Sequence, residues 1–196
     1  MDTSLSNINA YILTGGQSRR LNTDKCLEKL NGQTLTEIIH NKLNLLFKNI
    51  YVVGKENNFP DYNFIKDVKP VQCPLNGIAT AIEHSKNDWI FVIACDLPLI
   101  KPGTINLLFD NIKSNSQIVL PFVDDTLQPL CTFYNKNVLI KFNTAIEIGD
   151  YSLMKLLGQF EVKKVAIPTE EKVQFLNINY PKDLEKAEIL IIFNPN

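Results

Sequence analysis

Short apolar runs rich in β-branched and aromatic residues recur along this chain, with stretches of helical period between them. The runs are INAYILT from Ile8, IYVVG from Ile50, FIKD from Phe64, WIFVIACD from Trp89 and IVLPF from Ile118. A strand that is apolar on both faces must be covered on both, so these runs predict a sheet held between two helical layers. Helices are predicted at Thr34–Leu46, with Thr34 as N-cap and Glu37 three residues on, at Asn76–Ser85 and at Pro102–Ile112. Strands and helices in alternation imply right-handed crossovers and a mostly parallel sheet. The expected class is α/β: a doubly wound, mostly parallel sheet with helices on both faces.

The second half is less regular. After Pro121 come a polar turn at DDT, a strand at Leu130–Tyr134, helices near Val138–Ile148 and Ser152–Gln159, and a strand at Val162–Ile167. TEEKVQ reads as a loop and FLNIN as a short strand end. Pro181–Ile192 reads as a last helix with proline in its first turn. A length of 196 residues suits one domain, 1–196, because domains run to about 100–200 residues.

Charge and cysteine usage exclude several classes of function. Lys and Arg number 20 against 21 Asp and Glu, a net charge of -1, so no basic field exists to hold nucleic acid or an anionic membrane. The four cysteines are far apart and only His40 and His84 are present to help them, which indicates neither a zinc site nor a disulfide framework. The start MDTSLSNINA lacks a signal peptide's basic and apolar regions, and EILIIFN is too short to span a bilayer. A cytoplasmic protein with reduced thiols is expected. No Ser or Cys has a base nearby in sequence, so nothing suggests a hydrolytic triad.

The segment from Leu13 to Lys25 carries the first chemical signal. The opening strand runs straight into Gly15-Gly16-Gln17-Ser18-Arg19-Arg20, followed by Asp24-Lys25. Adjacent glycines let backbone N–H groups approach an anion closely, and Arg20 and Lys25 add positive charge. A plain turn with solvated basic neighbours satisfies the same pattern. Neither GxxxxGK[ST] nor GxGxxG is present, so a phosphate here would be held by another scheme. The second signal is Asp96, delivered in CDLP at the end of the Trp89 run, where a carboxylate can hold a divalent cation against phosphates. Helix capping is the structural alternative, but Pro98 and Lys101-Pro102 delay the next helix. Asp67, Asn177 and Asn179, taken alone, read as turn or cap formers.

Together LTGGQSRRLNTDK, IKD, CPLNGI, CDLP, LQPLCTFY and FLNINYPKDLEKAE resemble, in order, the motifs of the MobA-type molybdenum cofactor guanylyltransferases, over nearly the full chain. The resemblance implies a nucleotidyltransferase fold, Mg²⁺ as cofactor, and transfer of GMP from GTP to Mo-molybdopterin with release of pyrophosphate. It implies a nucleotide-binding half, 1–121, and an acceptor half, 122–196. Leu13, Thr14, Gly15 and Gly16 would meet the nucleotide together with Asp67, while Arg20 and Lys25 neutralise its phosphates. Asp96 would bind both nucleotide and metal, so that Arg20, Lys25 and Asp96 carry catalysis. Asn177 and Asn179 would face the acceptor. Partners are the two substrates, with transient contact to other cofactor-biosynthesis proteins or molybdoenzymes, and no nucleic acid or membrane.

The chain departs from the family pattern at Thr14 for Ala, Leu21 for Met, Asn22 for Gly, Cys73 for Gly and Gln128 for His. Two other readings compete with guanylyl transfer. One is a cytidylyltransferase of the same superfamily, acting on molybdopterin or on a sugar or polyol phosphate. The other is a nucleotide-binding protein without turnover.

Overall fold

The computed structural model describes residues 4–15 and 24–193. In chain order the elements are β1 (Asn9–Leu13), β2 (Lys29–Leu30), β3 (Gln33–Thr34), α1 (Leu35–Leu43), β4 (Asn49–Gly54), β5 (Phe64–Lys66), α2 (Pro74–His84) and β6 (Trp89–Ala94). There follow α3 (Pro102–Asp110), β7 (Ile118–Val123), β8 (Thr126–Leu127), β9 (Cys131–Asn135), α4 (Leu139–Glu147), α5 (Leu153–Leu157), β10 (Val162–Ala166) and α6 (Pro181–Phe193).

The main sheet runs β10-β7-β9-β6-β1-β4-β5, with β8 paired to β7. Strand β1 pairs in parallel with β4 on one side and β6 on the other, and β4 in turn with β5. Within this sheet, among the described residues, β9, between β6 and β7, and the short β8 run antiparallel to their neighbours. The expected class, a mostly parallel sheet between helices, is the observed one.

Period-two alternation explains why the centres of β1 and β6 are apolar at successive positions. On β1, Ala10 and Ile12 join Ile39 and Leu43 of α1 and Ile105 and Leu108 of α3 in one core, which covers the first face. Tyr11 and Leu13 join Leu75 and Ile78 of α2 and Phe142 of α4 in the other. Strand β6 divides the same way, Phe91 and Ile93 against Ile90 and Val92. A polar residue at any of these positions would leave an unpaired group under one helical layer or the other.

Helix starts follow their sequence signals. Thr34 Oγ1 accepts from Glu37 N at 3.1 Å and Glu37 Oε2 accepts from Thr34 N at 2.6 Å, a complete capping box for α1. Pro74 and Pro102 open α2 and α3, where a missing N–H costs nothing. The DDT turn proves to be a hairpin, with Asp124 and Asp125 at φ 44° and 59° joining β7 to β8.

Three features differ from expectation. TEEKVQ is not a loop but a 3-10 helix, Thr169–Phe175, anchored by buried Gln174, whose Oε1 accepts from Thr104 Oγ1 at 2.7 Å and Lys101 N at 2.9 Å. FLNIN forms no strand: Ile178 N donates to Asp96 O at 3.0 Å, and the Ile178 side chain enters a small core with Leu30, Leu35 and Ala187. The hairpin β2–β3, turned by Asn31 and Gly32 at φ 51° and 83°, was not anticipated, because strands of two residues show no period. Among the described residues no helix is long and apolar enough to cross a membrane.

Candidate active site at the carboxyl ends of the central strands

Parallel pairing places the ends of β1, β4, β5 and β6 on one edge of the sheet. Leu13 lies level with Val53 and with Ala94 in the two ladders, so the segments leaving these strands emerge side by side. After β1 the chain goes to β4 on one side and returns to β6 on the other, and open sheets bind ligands at such a reversal of strand order. A cavity of about 190 Å³ opens there, and Leu13, Thr14, Gly15, Lys25, Pro74 and Asp96 are among the residues that line it. A second of about 190 Å³ adjoins it through Thr14 and Gly15 and is bounded by Lys55, Asn58 and Gln72.

The Leu13–Gly15 segment is fixed by its backbone. Cys95 N donates to Leu13 O at 3.1 Å, and Thr14 donates to Val53 O from both its N, at 2.9 Å, and its Oγ1, at 3.0 Å. Close approach is possible because Gly54 has no side chain: a Cβ there would stand 2.5 Å from Thr14 Oγ1. Gly77 plays the same part below Leu13, where a Cβ would meet Leu13 Cδ2 at 3.1 Å.

Lys25 reaches across the cavity mouth. Its Nζ lies 2.5 Å from Asp96 Oδ2 and 2.6 Å from Asn179 Oδ1, with the Lys25 and Asp96 side chains 13% and 15% exposed. An ion pair this far withdrawn from water is screened less than a surface pair. Among the described residues Asp96 Oδ1 is buried without a hydrogen-bond partner. An unpartnered carboxylate oxygen in a residue that lines the cavity fits a hard divalent cation such as Mg²⁺.

Asp67 follows β5 directly. Its N donates to Gly54 O at 2.8 Å, and its side chain faces Gly15, where a Cβ would meet Oδ2 at 3.8 Å. Among the described residues Asp67 Oδ1 is also buried without a partner. Burial raises its carboxyl above the usual 3.8, and the Lys55 ammonium opposes that rise. Burial likewise pushes the Cys26 thiol up to about 11 and the Cys95 thiol well above 9.0, so the cysteines beside Lys25 and Asp96 are not nucleophiles.

Of the residues singled out in the sequence, Leu13, Thr14, Gly15, Lys25, Asp67, Asp96 and Asn179 converge here. Asn177 does not: its amide donates locally to Phe175 O at 3.4 Å, whereas Asn179 Oδ1 accepts from Lys25 Nζ. The backbone explains the split, since Ile178 turns inward and its two neighbours turn out, with only Asn179 on the Lys25 side. Gly16, Arg20 and Asn22 lie outside the described residues.

Sequence reasoning missed Asn76 and Thr80. Both are on α2, one turn apart and buried, and both serve the segment that follows Asp67. Asn76 Nδ2 donates to Lys69 O at 2.8 Å and Val71 O at 3.0 Å, while Thr80 Oγ1 accepts from Val68 N at 3.1 Å. The available signal was two polar residues four apart inside an otherwise apolar helix. Lys55 was also missed, because nothing local marks a lysine after a strand.

Comparison with known proteins follows the same lines. The family model described as "MobA-like NTP transferase domain" matches residues 10–165. The chain is similar to the probable molybdenum cofactor guanylyltransferase of Aquifex aeolicus, 32% identical over 97% of this chain and 94% of that one. It is similar to the molybdenum cofactor guanylyltransferase of Campylobacter jejuni subsp. doylei, 29% identical over 93% and 96%. Among solved structures, molybdopterin-guanine dinucleotide biosynthesis protein A from Archaeoglobus fulgidus superposes with a TM-score of 0.82 at 24% identity, covering 95% of this chain and 100% of that chain.

Proposed function

The chain belongs to the MobA-like NTP transferase family, and from that membership we propose that it transfers GMP from GTP to the phosphate of Mo-molybdopterin. A phosphate oxygen of the acceptor attacks the α-phosphorus of GTP. A new P–O bond forms there, the bond to the β-phosphate oxygen breaks, and pyrophosphate leaves with that electron pair. A phosphate monoester is already nucleophilic, so no side-chain base is needed and catalysis reduces to placement and charge neutralisation.

The observation that carries this reading is the single ammonium of Lys25 joining Asp96 to Asn179 at the mouth of the β1 cavity. It supports a site in which nucleotide and acceptor meet. Leu13, Thr14 and Gly15 line the nucleotide's proposed place, Asp67 stands beside Gly15, and Gly16 is assigned to the nucleotide by family likeness alone. Lys25 and Arg20 neutralise phosphate charge. Asn179 holds the acceptor side; a role for Asn177 at the acceptor would need its exposed amide to turn toward the ligand. Asp96, with its unpartnered Oδ1, would hold Mg²⁺, which would supply Lewis-acid chemistry toward the substrate phosphates. Residues 1–121 supply the nucleotide side, residues 122–196 the acceptor side, and a cytoplasmic site of action suits both substrates.

The test is pyrophosphate release with Mg²⁺ and Mo-molybdopterin, comparing GTP with CTP. Faster release from GTP is expected. Faster release from CTP would assign the chain to the cytidylyl branch, and nucleotide binding without release would leave it a binding protein.

A further inference from the structure

A larger cavity, of about 380 Å³, shares no lining residue with the two described above. It is framed by the β2–β3 turn, α1, the segment Pro98–Lys101, the 3-10 helix at Thr169–Phe175 and α6, and its walls include Leu30, Ile38, Leu99 and Ile191. Its volume is within the range of small-molecule sites, roughly 300–1,000 Å³.

The polar lining is unbalanced. Lys42 Nζ donates to Pro98 O at 2.7 Å and Ile100 O at 3.0 Å, which uses two of an ammonium's three donors. Burial, helped by the Lys101 ammonium, lowers Lys42 to about 8. Among the described residues no carboxylate pairs with Lys42 or Lys101, and Glu170 is the one carboxylate in the lining. A staple between α1 and the Pro98–Ile100 backbone accounts for two donors of Lys42. It does not account for a second ammonium brought to the same apolar cavity.

We propose that this cavity binds a small amphipathic carboxylate, its ring body against Leu99 and Ile191 and its charge on Lys42 and Lys101. The ligand would supply the missing negative charge, accept the remaining Lys42 donor and cover apolar walls that no described side chain fills. The site is separate from the one proposed for nucleotide transfer, and its test needs no turnover.

The experiment titrates the ¹⁵N-labelled protein at neutral pH with naphthalene-2-carboxylate and, in parallel, with the uncharged naphthalene-2-carboxamide. Saturable shifts are expected at Leu99, Lys101, Val173 and Ile191, with the amide binding at least about tenfold more weakly, the usual worth of a charge-assisted contact. Lys101→Met, which removes charge without touching the Lys42 carbonyl bonds, should weaken the carboxylate by about tenfold and leave the amide unchanged. Lys42→Met should do the same where it folds. Equal affinity for the two probes, no saturable shift, or shifts centred on Leu13–Gly15 and Asp96 would overturn the proposal.

Discussion

Lys25 Nζ and Asp96 Oδ2 stand 2.5 Å apart, an ion pair between residues 71 positions apart in the chain. The fold brings them together because β1 and β6 are parallel neighbours, so the segments that leave them share one edge.

Asp96→Ala should abolish Mg²⁺-dependent turnover, lowering kcat by at least about 10²–10³-fold, the cost of losing one electrostatic contact in a transition state. Folding should survive, because the side chain is on the rim and the Asp96 carbonyl still accepts from Ile178 N. Pyrophosphate release and far-UV circular dichroism measure the two outcomes. Lys25→Met should be similarly impaired, and the double variant much less so than the product of the single effects, as for residues that act as one unit.

Asp67→Asn should separate stability from function. With its carboxyl raised by burial, the folded protein holds a proton over a range where the unfolded chain has lost it, so its contribution to stability falls as pH rises from 3.8 through the raised value. The variant lacks that loss. Its melting temperature relative to the parent protein should increase across the acid range toward neutrality, while its KM for GTP rises. Parallel thermal melts decide it; equal pH dependence in the two proteins would remove Asp67 as the cause.

Gly54→Ala should cost about 1–3 kcal/mol, the usual range for an overpacked site. The new Cβ would be 2.5 Å from Thr14 Oγ1 but 3.8 Å from Thr14 Cβ, so only the hydroxyl is in the way. Thr14→Ala should therefore rescue it, and a double-mutant cycle by denaturant unfolding should show strong coupling. Additive effects would mean that the strain is relieved elsewhere.

Asn76→Ala should strip Lys69 O and Val71 O of their donor, costing roughly 1–3 kcal/mol if both stay dry. The segment after Asp67 should loosen, with faster hydrogen exchange from Lys69 to Cys73 and a KM for GTP that rises more than kcat falls. The Val68 amide, held by Thr80, should remain protected.

Much of the fold was legible because it is written in periods. Ala10–Leu13 and Trp89–Ala94 are apolar at every position for a reason visible in the structure: alternate residues enter different cores. Thr34 and Glu37 announced α1 through chemistry three residues apart. What was not legible lacks a period or depends on the third dimension. Gln174 made a helix of TEEKVQ by reaching Lys101 N, 73 positions away. In the site, Lys25, Asp67 and Asp96 could be named one by one, but their meeting point follows from strand order. Asn177 and Asn179 look equivalent in FLNIN and are not, because Asn179 Oδ1 accepts from Lys25 Nζ, 154 positions away, while Asn177 bonds locally to Phe175 O.

One lysine bonded at once to Asp96 and to Asn179 has a thermodynamic corollary for a two-substrate site. In the proposed reaction a phosphate would meet the third Lys25 donor or compete with Asn179 for the one it holds, and an acceptor that takes Asn179 would free that donor for the phosphate. Whatever affinity one substrate lends the other must be returned in equal measure. The three residues form a seesaw whose pivot is the Lys25 ammonium.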